Sequence, residues 1–301
     1  MGPVTFRGYH EVAGADGSGL PEQIARQHAR VAERLALVER VVVVLSGKGG
    51  VGKSWVTAAL ALALARRGLA VGVVDADLHG PTVARLLGGT GGGPLVVRDG
   101  AVRPAVGRAG IRLISTDLLL DDGKALRWTA SAGAAHAWRG AAEASMLREF
   151  FSDVEWGALD ALLVDMPPDE SRIGDVAALA RGDGRDGLAA RPIVAGIAVT
   201  IPSEESARSV ARALDAAREA RLPLLGVVEN MSGYACGRCG AVGPLFTGDA
   251  GARLARAHGI PLLARPPFTT APLDDVAPTL APVVEAVLRL ADSNPELPGR
   301  P

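Results

Sequence analysis

Seven short runs of consecutive apolar residues punctuate the chain. The first, Val41-Val42-Val43-Val44-Leu45, is continuous and rich in β-branched residues, as a strand buried on both faces requires. Similar runs recur at Ala70–Val74, Ile111–Ile114, Leu159–Val164, Ile193–Val199, Leu224–Val228 and, more weakly, Ile260–Leu263. Helical patterns fall between many of them, at Ser54–Arg67, Ala141–Phe151, Ser203–Ala220 and Ala250–His258. Ahead of the first run, residues 21–38 set Ile24, Val31, Leu35 and Leu37 among charges, an amphipathic helix starting at Pro21. Strand alternating with helix predicts an α/β fold: a doubly wound, mostly parallel sheet of about seven or eight strands. The expected domain covers 21–292, between a flexible lead at 1–20 and a disordered tail at 293–301. Gly88–Pro94 and Arg181–Gly187 read as flexible loops.

Composition narrows the classes. The 301 residues are 48% hydrophobic and 22% charged, with a net charge of −1. Without a basic excess, neither nucleic acid nor an acidic membrane surface is an expected partner. The longest apolar run, Val56–Ala65, stops at Arg66-Arg67 after ten residues, too short for a membrane span. The segment Val283–Leu290 carries a single arginine and reads as a packed core helix rather than a membrane-binding one. The first residues lack the basic and apolar regions of a signal peptide, so a cytoplasmic protein is expected.

The chemistry begins directly after the first strand. Gly47-Lys48-Gly49-Gly50-Val51-Gly52-Lys53-Ser54 fits the phosphate-loop pattern, with an apolar strand before it and a helix after it. Its glycines let the backbone wrap a phosphate, and the helix N-terminus adds positive potential. This stretch, with the adjoining Trp55, is the expected ATP site. Lys53 should reach the β- and γ-phosphates, and the Ser54 hydroxyl should ligate Mg²⁺. Two other strands end in carboxylates, Asp75-Ala76-Asp77 and Asp165-Met166-Pro167-Pro168. Such residues lie at the sheet edge where open α/β folds bind ligands. Asp77 is the candidate for orienting the attacking water. Asp75 and Asp165 are the candidates for the Mg²⁺ site, acting through water.

Cys236-Gly237-Arg238-Cys239-Gly240 holds the chain's two cysteines. Two thiolates three apart, with glycines permitting a tight turn, make a metal knuckle. A four-thiolate site needs four. The spacing leaves open a site shared by two chains, a redox dithiol or an incidental pair.

The second lysine of GKGGVGKS makes the loop resemble that of the MinD/ParA/nitrogenase-iron-protein group. That resemblance implies that Lys48 reaches across a nucleotide-bridged dimer. A narrower resemblance is carried by SGKGGVGKS (46–54), VVDADLHGPTVARLLG (73–88), WRG (138–140), LREFFSDVEWGALDALLVDMPP (147–168) and LGVVENMSGYACGRCG (225–240). These stretches are similar to the Mrp/ApbC family of ATP-binding iron–sulfur cluster carriers. The resemblance implies a homodimer holding a [4Fe–4S] cluster between two Cys236/Cys239 pairs. It implies ATP hydrolysis linked to cluster transfer onto apo iron–sulfur client proteins. It also places Asn230 where an amide reads the adenine edge. The sequence departs from the family at Trp55, at the acidic Asp169–Asp175 run that replaces a Gly-Thr-Gly-Asp switch segment, and at Arg127–Ala137, an apparent insertion. The competing readings are a ParA/MinD-type positioning ATPase and a dimer braced by Zn²⁺ at the cysteines.

Overall fold

The computed structural model describes residues 20–89, 95–98, 101–119, 135–181 and 192–290. The tail at 293–301, residues 1–19 of the lead and the loop and insertion positions 90–94, 127–134 and 182–187 lie outside the described residues. In chain order the strands are β1 Arg40–Leu45, β2 Val71–Asp75, β3 Val97–Arg98, β4 Ala101–Val102, β5 Ala105–Val106, β6 Arg112–Ile114, β7 Ala161–Asp165, β8 Ile193–Thr200, β9 Leu224–Glu229, β10 Tyr234–Ala235, β11 Val242–Gly243 and β12 Leu262–Ala264. The longer helices are α1 Leu20–Leu35, α2 Lys53–Arg66, α3 Ala135–Ser152, α4 Ile173–Arg181, α5 Glu204–Glu219, α6 Ala250–Ala257 and α7 Ala281–Leu288.

Eight strands form one sheet in the order β12-β9-β8-β1-β7-β2-β6-β5. The neighbours are parallel except for β5, which runs antiparallel to β6 at the edge. Every residue of β1, β2 and β7 is buried, because helices cover both faces. The alternation along β1 shows the two layers. Val41, Val43 and Leu45 join a core with α1, α3, α4 and α5, including Leu35, Phe151, Val176 and Leu214. Val42 and Val44 join the opposite core with α2 and α7, including Leu60, Leu64, Val283 and Val287. Val283–Leu290 is thus packed core, as its composition predicts. No described helix is long and apolar enough to cross a membrane.

Three local expectations shift. The first helix stops at Leu35, short of 38, and Val38 instead bridges to Leu159. The helix expected at 141–151 begins earlier, at Ala135. The loop expected from Arg181 loses its first residue to a helix: from Ile173 to Arg181 the chain forms α4, whose Ile173, Val176, Ala177 and Ala180 are buried.

Register builds the site. β7 sits between β1 and β2, and Asp165 pairs with Val44 on one side and with Asp75 on the other. The phosphate loop and both carboxylates therefore emerge side by side at the C-terminal edge of the sheet.

Candidate functional site

The loop from Ser46 to Gly52 owes its shape to three glycines. A Cβ at Gly47 would lie 1.9 Å from the Ser209 carbonyl oxygen of α5, so only hydrogen fits there. Gly50 and Gly52 hold φ of 81° and 79°, in the left-handed region. A Cβ at Gly52 would also meet the Asn230 amide at 2.3 Å. Gly52 caps α2 without any side-chain bond, and the first turn of α2 contains no acidic residue. The leading N–H groups of α2 thus face the cleft as anion donors. The cleft has a volume of about 600 Å³ and is lined by the loop with Trp55, Asp77, Thr82, Arg85 and Pro168.

Beneath the loop lies a buried charge cluster. Lys53 Nζ is 2.7 Å from Asp165 Oδ2. The Ser54 hydroxyl donates to the same oxygen at 2.6 Å. Trp55 stands beside this contact without pulling the serine away. The Thr57 hydroxyl, one helical turn on, lies 2.7 Å from Asp165 Oδ1. No motif flags Thr57; only its place on the helix face above β7 brings it there. Asp75 is 1% exposed. Its Oδ2 accepts from the Ser115 hydroxyl at 3.1 Å and from the N–H groups of Thr82 at 3.1 Å and Val83 at 3.3 Å. Asp77 is half-buried at the cleft wall, where its Oδ1 accepts the Gly80 N–H at 3.0 Å.

Burial, then the neighbouring Asp165 charge, pushes the Asp75 carboxyl up to about 7, against the opposing pull of Lys53 and Ser115. Two buried carboxylates share one buried ammonium, and this surplus of negative charge beside a hydroxyl ligand suits a divalent cation. In nucleotide- and metal-free protein the effect sets a pH slope. The folded value lies above the unfolded one, so the contribution to stability is complete below about pH 4 and is lost as pH rises through about 7. Thermal scans without nucleotide or metal should therefore show the parent losing several degrees more than Asp75→Asn between pH 5 and pH 8. Equal slopes would show that Asp75 does not titrate in this way.

Lys48 lies apart from this cluster. Its Nζ pairs with Glu205 Oε1 at 3.2 Å, and the two side chains are 44% and 78% exposed. Such a surface pair is worth about 1 kcal/mol or less, so Lys48 is readily released. Asn230 directly follows β9 and is 3% exposed. Its Nδ2 donates to the Val51 carbonyl at 2.9 Å. That amide nitrogen braces the phosphate loop from below.

From Asn230 the chain turns through Met231, at φ 55°, into the β10–β11 hairpin. The cysteines occupy its tip. The Cys236 N–H donates to Ala241 O at 2.9 Å, and the Gly240 N–H to Cys236 O at 2.8 Å. Cys236 is half-buried and Cys239 exposed. The N–H groups of Arg238 and Cys239, then the Cys239 thiol, hold the Cys236 thiol below its usual range. Among the described residues, no three His, Cys, Asp or Glu side chains gather as a metal site within one chain. Around the knuckle Tyr234, Val242, Leu245, Phe246 and Phe268 are exposed, with Tyr234 stacked on Phe268 at 6.4 Å.

The sequence profile of the ParA/NUBPL iron-transfer P-loop NTPases matches residues 37–277. An iron-sulfur cluster carrier protein of Saccharolobus solfataricus is 37% identical over 253 residues, covering 82% of this chain and 77% of that protein. The cytosolic Fe-S cluster assembly factor CFD1 of Eremothecium gossypii is 38% identical over 244 residues, covering 79% and 81%. A nucleotide-binding protein from Archaeoglobus fulgidus, solved with ADP, superposes with a TM-score of 0.65 at 32% identity, covering 86% of this chain and 92% of that one. With most of its length matched, the chain belongs to the ParA/NUBPL family of iron-transfer P-loop NTPases.

Proposed function

We propose that this protein is an ATP-hydrolysing carrier of iron–sulfur clusters, working as a cytoplasmic homodimer with the cluster as its cargo. One observation carries the reading: β9 leads directly into Asn230, which holds the phosphate loop, and the same chain reaches Cys236 six positions later at an exposed hairpin tip. Nucleotide loop and thiolates thus share one strand end.

Lys53 and the N–H groups of α2 bind the β- and γ-phosphates. Ser54, with Asp165 and Asp75 behind it, holds Mg²⁺, which neutralises phosphate charge. Asp77 at the cleft wall orients the attacking water. Lys48 leaves Glu205 and reaches the phosphates bound by the partner chain. Cys236 and Cys239 supply two thiolates, so a [4Fe–4S] cargo with four thiolate ligands takes both pairs of a dimer. The apolar residues around the knuckle support a face that is covered in use. The names of the relatives support delivery to apo iron–sulfur proteins.

Anaerobic reconstitution with iron and sulfide tests the proposal. The expected product absorbs in the visible, contains one cluster per two chains, sediments as a dimer and passes its cluster to an apo client. Zinc in place of iron in protein purified anaerobically, or a cluster held by a single chain, overturns it.

A further inference from the structure

Two segments border the part of the cleft where a γ-phosphate would lie. One follows β2 and contributes Asp77 and Thr82. The other follows β7 and contributes Pro168. Behind them a second cavity, about 320 Å³, separates both segments from α3. A single side chain spans it. Glu143 of α3 places Oε1 2.8 Å from His79 Nε2, on the first segment. Its Oε2 accepts Arg172 Nη2 at 2.9 Å, on the second. Arg172 Nη2 also donates to the Gly140 carbonyl at 3.0 Å, and its Nη1 reaches Asp175 Oδ2 at 3.3 Å. Glu143 and Arg172 are each 17% exposed, so the bond between them is largely shielded from water, whereas His79 is 55% exposed and meets Glu143 at the cavity's open side.

We infer that Glu143 is a positioning residue that couples the two segments, so that they read the terminal phosphate together. The inference rests on the ATP reading above. Because one carboxylate holds both segments, neither can move alone without breaking a hydrogen bond to that carboxylate, the stronger being the shielded, charge-assisted one to Arg172. The cavity gives them room to move as a unit. Glu143, His79 and Arg172 all line the second cavity and not the nucleotide cleft, so Glu143 acts on the nucleotide through the two segments and not by contact. Its loss should therefore spare binding of the groups shared by ATP and ADP, and weaken recognition of what distinguishes them.

Calorimetric titration with Mg·ADP and with the slowly hydrolysed analogue Mg·ATPγS provides the test. Glu143→Ala should bind ATPγS about tenfold more weakly, within the usual range of coupling between sites, and ADP within about twofold of the parent. Glu143→Gln, which can still bridge both partners, should recover part of the preference. Arg172→Ala should mimic Glu143→Ala, and the double variant should be no worse than either. Arg172→Lys keeps the charge but loses the fork, and serves if an alanine variant fails to fold. Equal weakening toward both nucleotides, no change, or multiplying effects of the two substitutions each overturn the inference. A parent that binds neither nucleotide overturns the ATP reading and this inference with it. A parent with a preference for ATPγS that Glu143→Ala retains overturns the coupling alone.

Discussion

Lys53→Met is expected to lower ATP hydrolysis by more than about a hundredfold, the usual cost of removing one preorganised charge-stabilising group. It should also weaken the nucleotide-free fold. The Lys53 ammonium is 6% exposed and Asp165 fully buried, and the pair stands at 2.7 Å. Removing the cation leaves Asp165 and Asp75 buried without it, a loss of about 3–5 kcal/mol for a broken buried pair. In a chain of this size that is on the order of 10 °C in Tm. The loss should be deeper at pH 8 than at pH 6, because Lys53 pulls the Asp75 carboxyl down and without it only the hydrogen bonds from Ser115 and Val83 oppose the upward push of burial and Asp165. Lys48→Ala should behave in the opposite way. Its exposed pair with Glu205 holds little energy, so Tm and nucleotide affinity should stay near the parent, while ATP-dependent dimerisation and turnover are lost. Phosphate release, thermal scans and sedimentation separate the two. Parental turnover by Lys53→Met, or a large Tm loss in Lys48→Ala, contradicts this division of roles.

The division could be read only in part from the chain. β1, β2 and β7 were legible because strands covered on both faces become apolar runs, and each run leads directly into the site. What no run reveals is their order. Asp75 and Asp165 are adjacent only because β7 inserts between β1 and β2, and their competition for one lysine follows from that register. Short or mixed elements were hidden for other reasons. β5 has two residues, too few for a period, and pairs antiparallel at the edge. α4 starts with Ile173-Gly174-Asp175 after an acidic run, so local composition argues for a loop while packing of Val176 and Ala177 against the sheet decides for a helix. Thr57 and Glu143 belong to no spacing pattern. They matter through contacts with segments remote in sequence, which only the folded chain brings together.

The Cys236→Ser/Cys239→Ser protein should lose bound cluster by more than about tenfold while keeping its nucleotide affinity and fold. The hairpin explains why the fold survives. Its turn is closed by backbone bonds, Cys236 N–H to Ala241 O and Gly240 N–H to Cys236 O, and its base by the Ala235 N–H to Phe268 O bond at 2.9 Å. Neither thiol is needed for any of these. The chemistry does need them. The N–H groups that lower the Cys236 thiol's pKa favour the thiolate, the form that binds metal. A serine hydroxyl stays protonated in the same place and offers iron no comparable ligand. The phosphate loop is braced from the other end of the same segment, by Asn230 on Val51, and should not register the change. Iron and sulfide content after anaerobic reconstitution, read beside ADP affinity, gives the result. A double-serine protein that holds as much cluster as the parent removes the knuckle from cluster binding. One that loses nucleotide affinity as well shows the hairpin and the phosphate loop to be a single structural unit rather than two sites on one strand end.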